Sequence, residues 1–361
     1  MIARVAFRVD ASPQIGIGHF MRCLTLATAL AGRGAQVRFV TRHLPDHLAA
    51  MVRGRGFECR ENRSFPEAEP ADPLGHAHWL GTSQDADAQD TLDALSDQPW
   101  DWLVIDHYAL DERWERRLRT AARRVLAIDD VADRVHDCDI LLDQNIYEDM
   151  DRRYAGLVPP SCATLLGPRF ALLRRDFRER RAALPPRTGR LRRLLICFGG
   201  IDAHNLTAMA LAAVATVNAP GLEVDVVIGA QHPAREAIEA ACAGRGFACY
   251  VQSDRMADLM AAADLAYGAS GSTSWERCCM ALPTLCAATA HNQVAIARGL
   301  EHAGALVLGG DREPVSVAGL TEPLDALLRA PARLLAMSAA AAGLVDGLGT
   351  DRVYDQMVAT T

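Results

Sequence analysis

Short, almost uniformly apolar runs alternate with helix-like segments along this chain, and the alternation occurs twice. In the first half, strands are predicted at Arg4–Val9, Gln36–Thr41, Trp102–Asp106, Arg124–Ile128 and Ile140–Asp143, with helices over Gly18–Gly32, Pro45–Gly54 and Glu112–Ala122. A strand apolar on both sides must be covered on both faces, which implies a parallel sheet wrapped by helices. Glu61 to Ser96, rich in Pro, Ala, Asp and His, reads as an irregular excursion around one short helix. After Leu184-Pro185-Pro186-Arg187-Thr188-Gly189, a linker by composition, a second series begins with the strand Arg193–Phe198. The expectation is an α/β protein of two doubly wound, Rossmann-like domains, residues 1–183 and 184–361, the last helix being able to cross back to the first domain. Ligands in open α/β sheets bind outside the carboxyl ends of the strands, so the informative loops should line an interdomain cleft.

At 361 residues the chain has room for two cores, and its net charge of −7 argues against a nucleic-acid partner. The one basic concentration, Arg174 to Arg193, reads as a solvated helix face and linker. The ten cysteines show no C-x-x-C pair and are expected as free thiols in a reducing cytoplasm. No secretory signal is visible, no window reaches the roughly 20 apolar residues of a membrane span, and no membrane partner is expected.

Three strand-to-helix loops carry candidate chemistry. Gly16-Ile17-Gly18-His19 combines two glycines, the N-terminus of a helix and a histidine in its first turn. Unpaired N–H groups there attract anions, and the imidazole is a candidate base. Gly199-Gly200-Ile201-Asp202 opens a helix capped by Asp202 or Asn205; it lacks the third glycine of a dinucleotide fingerprint, which disfavours a nicotinamide cofactor. Gly268-Ala269-Ser270-Gly271-Ser272 offers small residues and hydroxyls suited to a diphosphate, with Glu276 one turn on as a ribose acceptor or simply a first-turn acid. That loop does not match the nucleophile elbow of serine hydrolases. His291-Asn292-Gln293 either reads a ligand or caps a helix, and Asp106-His107-Tyr108 should point its side chains into the cleft. Asp137-Cys138-Asp139 and Asp85-Ala86-Asp87 match the D-x-D spacing of metal-dependent sugar transferases; the spacing is common by chance, and no metal is expected.

Together these loops resemble the UDP-sugar hydrolases of pseudaminic acid biosynthesis. The resemblance rests on Asp10 to Leu24, Asp106-His107-Tyr108, Ile128-Asp129-Asp130, Leu142-Asp143-Gln144-Asn145, Leu166-Gly167-Pro168, Cys197 to Asp202, Ser274-Trp275-Glu276 and Asn292-Gln293. It implies the glycosyltransferase-B fold and release of UDP from a UDP-linked 2,4-diacetamido-2,4,6-trideoxyhexose, without cofactor or metal. It also implies His19 as catalytic base, with Tyr108 and Asn292 at the sugar and Ser270, Gly271, Ser272 and Glu276 at UDP. Asp10, Gly16, Gly18, Arg22, Gly200 and Gln293 are the remaining expected substrate contacts. Ile201 departs from the pattern, standing where a small polar residue is expected. UDP is a good leaving group, so one base and a phosphate cradle suffice where glycosidases need two carboxylates. The rivals are a glycosyltransferase passing the sugar to an acceptor and a non-catalytic nucleotide-sugar-binding module. The sequence leaves sugar stereochemistry and oligomeric state open.

Overall fold

A computed structural model describes residues 2–62, 72–200, 202–287, 291–309 and 315–360, without the side chains of residues 291–293. The chain divides into two compact units: Met1–Asn145 with Asp149–Leu172 and Leu348–Thr361, and Ile146–Glu148 with Leu173–Gly347.

The first unit runs β1 (Arg4–Val9), α1 (Gly18–Ala31), β2 (Gln36–Thr41), α2 (Asp46–Gly54), β3 (Glu58–Glu61), α3 (Gln84–Leu95), β4 (Trp100–Asp106), α4 (Glu112–Leu118), β5 (Ala122–Ile128), β6 (Ile140–Asp143) and β7 (Ala163–Leu166). Its seven strands are parallel in the order β3-β2-β1-β4-β5-β6-β7. Side-chain alternation along β1 explains its composition: Val5, Phe7 and Val9 enter one core with Phe20, Leu26 and Phe39. Ala6 enters the opposite core with Leu103, Trp114 and Leu118. The edge strands β3 and β7 have no uniformly apolar signature because an edge is only half covered, and they escape the sequence reading. In both sheets the chain builds outward from one strand and then returns to its other side. In the first unit this places β4 beside β1, with Val9 opposite Asp106.

The second unit runs α5 (Arg175–Ala182), β8 (Arg193–Cys197), α6 (Leu206–Thr216), β9 (Glu223–Ile228), α7 (Arg235–Ala243), β10 (Ala248–Val251), α8 (Met256–Ala262), β11 (Leu265–Gly268), α9 (Thr273–Cys279), β12 (Thr284–Cys286), α10 (His291–His302), β13 (Leu306–Leu308), α11 (Val317–Leu328) and α12 (Pro331–Leu344). Its parallel order is β10-β9-β8-β11-β12-β13, with Gly268 opposite Cys197 at the corresponding switch. Helix α5 precedes the proline-rich linker yet lies within this unit. The final helix, α13 (Gly349–Ala359), belongs to the first unit, where Val353 and Met357 complete the core beside Phe20.

Two sequence expectations need correction. The arginine run is not simply a solvated face. Arg181 donates to the carbonyls of Cys279 (2.6 Å), Val345 (2.9 Å) and Ala342 (2.9 Å). Arg187 donates to those of Met280 (2.7 Å), Met260 (3.1 Å) and Ala263. Several of these carbonyls end α8, α9 and α12, where helices leave acceptors unpaired, so the two guanidiniums tie helix ends together. Pro331–Ala359 does reach the length and mean hydropathy, 1.2, of a membrane span. In the structure it is two helices broken at Val345–Leu348, and its apolar residues Leu334 and Met337 lie in the second unit's core, as Val353 and Met357 lie in the first's. All ten cysteines are free.

Candidate active site

The topological switch of the first sheet brings together the loop after β1 and the loop after β4. Between β1 and α1 the chain closes on itself: Ser12 Oγ accepts from the backbone N–H of Gln14 and Ile15, and Gly16 N–H donates to the Ser12 carbonyl at 2.8 Å. That closure needs φ +78° at Gly16, a conformation that favours glycine. Gly18 begins α1 without such a requirement, and Ile17 caps the helix without a side-chain bond. One turn of helix then carries His19 and Arg22 on the same face, three residues apart.

Both meet Asp106 at the end of β4. His19 Nδ1 lies 2.5 Å from Asp106 Oδ1, while Arg22 donates from Nε to Oδ2 at 2.6 Å and from Nη2 to Oδ1 at 2.8 Å. Burial pushes the Asp106 carboxyl up, but the Arg22 guanidinium and His19 outweigh it and hold the group well below the usual carboxylate range. A carboxylate bonded to Nδ1 places the ring proton there and leaves Nε2 as the basic nitrogen. Among the described residues, His19 Nε2 has no hydrogen-bond partner.

A second layer fixes the first. Arg22 Nη1 donates to Asp130 Oδ2 at 2.9 Å, as does Asn145 Nδ2 at 2.9 Å, and the Tyr108 hydroxyl donates to Asp130 Oδ1. Burial and the neighbouring Asp130 raise the Tyr108 phenol well above its ordinary value, so it stays a donor. Its ring packs edge-on against His19, centroids 4.6 Å apart. Behind Asp130, the Asp143 carboxyl accepts from the Tyr154 hydroxyl at 3.0 Å and is pushed up to about 7 by burial and by Asp130.

Asp10 is not a ligand-facing residue. It is fully buried and ion-paired with Arg8 at 2.7 Å, and it accepts from the backbone N–H of Arg42 (2.7 Å) and His43 (3.2 Å). His107 Nε2 lies 3.3 Å from its other oxygen. Strand alternation explains the misplacement of His107: Asp106 and Tyr108 face His19, while the residue between them turns to the opposite side. Arg22 likewise has Nε, Nη1 and Nη2 engaged by carboxylates, which makes it a positioning group. Asp130 and Asn145, absent from the predicted site, are the residues the structure adds, and it gives a partner to Asp106, whose side chain was expected in the cleft. Their signal was present, since Asp106 ends β4 while Asp130 and Asn145 follow the C-terminal ends of β5 and β6.

The second sheet's switch gathers the other predicted loops. Asp202, not Asn205, caps α6, accepting from the N–H of Leu206 (2.8 Å) and Thr207 (2.8 Å) and from the Thr207 hydroxyl (2.7 Å). The Gly200 carbonyl packs so closely on Gly229 that a Cβ there would collide with it. A Cβ on Gly268 would lie 2.5 Å from the Cys197 carbonyl, so only glycine lets the two loops lie side by side. Ser270 is fully buried and hydrogen-bonded to Cys286, whereas Ser272 is exposed at the start of α9 and Gly271 is partly exposed. The partly exposed Glu276 is pushed up to about 7 by burial, against the opposing charges of Arg174 and Arg277. Ile201 and the side chains of Asn292 and Gln293 lie outside the described residues.

Neither D-x-D pair presents free carboxylates. Arg119 holds Asp137 and Asp139, Arg124 also holds Asp139, Arg117 pairs with Asp85, and Asp87 is buried against Arg8, Arg42 and Trp114. Among the described residues no cluster of His, Cys, Asp and Glu has the arrangement of a metal site.

No family model matches the chain. A UDP-2,4-diacetamido-2,4,6-trideoxy-beta-L-altropyranose hydrolase from Campylobacter jejuni is 27% identical over 208 residues, 56% of this chain and 63% of that protein. The matched region thus spans less than two thirds of that relative. Among solved structures, MurG of Acinetobacter baumannii superposes with a TM-score of 0.65 at 16% identity, covering 99% of both chains. The spinosyn rhamnosyltransferase SpnG complexed with thymidine diphosphate gives 0.65 at 17% identity, over 98% of this chain and 100% of that one. These likenesses establish the fold, the two-domain α/β architecture of the glycosyltransferase-B class.

Proposed function

We propose that this chain hydrolyses a UDP-linked 2,4-diacetamido-2,4,6-trideoxyhexose at the anomeric carbon, releasing UDP and the free sugar. The observation that carries this reading is the His19–Asp106 pair, 2.5 Å apart, with Nε2 left unpartnered among the described residues. His19 Nε2 takes a proton from water as the water oxygen bonds to the anomeric carbon. The bond from that carbon to the phosphate oxygen breaks, and its electrons leave on UDP. Attack from the face opposite the leaving group inverts the anomeric centre. Asp106 stabilises the imidazolium that forms, Arg22 keeps Asp106 ionised, and Tyr108, held by Asp130, braces the ring from the side.

The second unit supplies the nucleotide site in this reading. The backbone around Gly200, Gly271 and Ser272 receives the diphosphate, Glu276 accepts from the ribose hydroxyls, and Asn292 and Gln293 contact the sugar-phosphate. Ser270, turned into the core, contributes through its backbone. Support comes from the Campylobacter jejuni relative and from the shared fold of enzymes that handle nucleotide-activated sugars.

The test is incubation with the UDP-linked diacetamido sugar, without acceptor and with EDTA, followed by NMR. Free UDP and an inverted reducing sugar are expected from the wild type, and His19→Asn should lose turnover about 10²–10⁴-fold, the usual contribution of a general base. UDP affinity should stay within a few-fold. Near wild-type turnover in His19→Asn would remove the base assignment. Release only when an acceptor is added would make the protein a transferase, and binding without release would make it a module.

A further inference from the structure

Five arginines are buried among the described residues, and four of them each meet two carboxylates. Arg8 pairs with Asp10 and Asp87, Arg22 with Asp106 and Asp130, Arg38 with Glu58 and Asp97, and Arg134 with Asp129 and Asp133. Arg277 in α9, 2% exposed, meets no carboxylate at ion-pair distance among the described residues. Its partners are all neutral: Nη2 donates to the Ala269 carbonyl at 2.5 Å and to Ser274 Oγ at 3.0 Å, and Nη1 donates to Thr273 Oγ1 at 3.3 Å. Its Nε has no hydrogen-bond partner among the described residues.

A buried charge is costly unless an opposite charge compensates it. The position of this one adds to the cost. Helix side chains lean toward the N-terminus, so Arg277 runs back over the first turn of α9 to reach Thr273 and Ser274. The unpaired N–H groups of a first turn favour negative charge and disfavour a cation. Glu276, the preceding residue, forms no ion pair with Arg277 among the described residues, and burial pushes its carboxyl up to about 7, so near neutral pH it is only partly ionised.

The guanidinium packs against the inner side of the loop between β11 and α9. A Cβ on Gly268 would come within 2.7 Å of Arg277 Nη1, so glycine there makes room for the arginine as well as for the Cys197 carbonyl. The bond to the Ala269 carbonyl polarises the Ala269–Ser270 peptide, and the bonds to Thr273 and Ser274 tie the other end of the loop. One side chain thus sets both the shape and the charge of residues 269–274. On the outer side Ser272 is exposed and Gly271 partly exposed. Attraction between a buried charge and a ligand held there is only weakly screened by water or salt.

We propose that Arg277 is the countercharge of the diphosphate site, a positioning residue that acts on the ligand through the loop and does not touch it. The missing negative charge is supplied when UDP occupies the outer side of residues 270–272. As the bond to the anomeric carbon breaks, its electrons add negative charge to the departing phosphate, and a fixed cation favours that state. The inference rests on the nucleotide site proposed above and names the residue whose charge that site uses.

The test compares binding of UDP with that of uridine, which lacks the phosphates, by calorimetry on the full chain. Arg277→Met should weaken UDP binding about tenfold or more, a tenfold change being about 1.4 kcal/mol, and leave uridine within about twofold. Arg277→Lys, which keeps the charge and loses the fork, should recover most of the UDP affinity. Arg277→Gln, uncharged but able to donate to the Ala269 carbonyl, replaces the methionine variant if that one does not fold. A charge also moves a titration that a purely structural role leaves alone. The terminal phosphate of UDP loses its last proton near about pH 6, and a nearby cation lowers that value. In the Glu276→Gln background, which removes the titrating neighbour, phosphorus NMR of bound UDP should show this titration at lower pH with Arg277 than with Arg277→Met. Unchanged UDP affinity, an equal loss for UDP and uridine, coincident phosphorus titrations, or a lysine variant no better than methionine overturns the proposal. Wild type that binds UDP but releases none from the sugar nucleotide removes the hydrolase reading alone, and the Arg277 comparison still decides the role of the charge. Wild type that does not bind UDP removes both.

Discussion

Replacing Asp106 by asparagine tests the heart of the candidate site, because the change keeps the shape and removes only the charge and one acceptor. The carboxylate is 1% exposed, and its two oxygens meet His19 Nδ1 and two nitrogens of Arg22 between 2.5 and 2.8 Å. Asparagine has one acceptor oxygen for positions that both face donors. With its amide nitrogen at the Oδ2 position it opposes the Arg22 Nε–H. With the nitrogen at the Oδ1 position it opposes Arg22 Nη2 and forces His19 to accept at Nδ1, which moves the ring proton to Nε2 and eliminates the base. In either orientation the buried Arg22 loses one of its two carboxylates. Breaking a buried pair outright costs about 3–5 kcal/mol. Arg22 keeps Asp130 at 2.9 Å, so the expected loss of stability lies at or below the lower end of that range. Turnover should fall about 10²–10⁴-fold, since one orientation of the amide removes the base and the other leaves the imidazolium that forms without its countercharge. The assay is UDP release by NMR at a temperature where circular dichroism shows the variant folded, with urea unfolding for stability. The double variant His19→Asn/Asp106→Asn should be no slower than the worse single variant, because the two residues act as one unit. Turnover in folded Asp106→Asn within about tenfold of wild type would refute the reasoning, for the loss would then fall below the range of a general base.

Two further outcomes follow from buried charges elsewhere. His136 sits between Glu115 at 2.7 Å and Asp129 at 3.8 Å; burial opposes its charge, but the carboxylates win and raise its pKa to about 9. Its stabilisation is therefore complete below the unfolded value of about 6.5 and is lost as pH rises through about 9, amounting to about 3 kcal/mol. Thermal unfolding from pH 6 to 10 should show this decline in the wild type and a flatter profile in His136→Gln; parallel profiles would count against it. Glu276, raised to about 7 by burial, keeps its proton in the folded chain where the unfolded chain has lost it. Its contribution to stability accordingly falls as pH rises from about 4.5 to 7. Ribose hydroxyls donating to the carboxylate favour its ionised form, so UDP binding should tighten through pH 7 more steeply in the wild type than in Glu276→Gln. Calorimetric titration at pH 6 and 8 reads the difference, and equal slopes would remove Glu276 from the nucleotide site.

Much of this architecture was legible in the chain. The apolar runs at Arg4–Val9 and Arg193–Cys197 announce two sheets because strands covered on both faces have no position for polar side chains except at their ends. The His19 loop was equally visible, since a glycine turn and a helix start leave a local signature. Asp10 misled because its place just after a strand suits a ligand contact as well as a buried partner for Arg8, and only the packing of α3, which brings Asp87 to the same arginine, separates the two.

The sequence by itself determined the buried elements, their parallel pairing and the loops that carry chemistry, because hydrophobic period, glycine placement and helix starts are local properties; the half-covered edge strands β3 and β7 left no such period. The tertiary structure alone decided which side chains meet. Strand order sets Asp106 beside His19 across 87 positions of chain, and Asp130 and Asn145 behind Arg22. It also turned Asp10 and Ser270 inward. Such juxtapositions depend on the register between non-neighbouring strands and on the anchoring of loops, which no local pattern encodes.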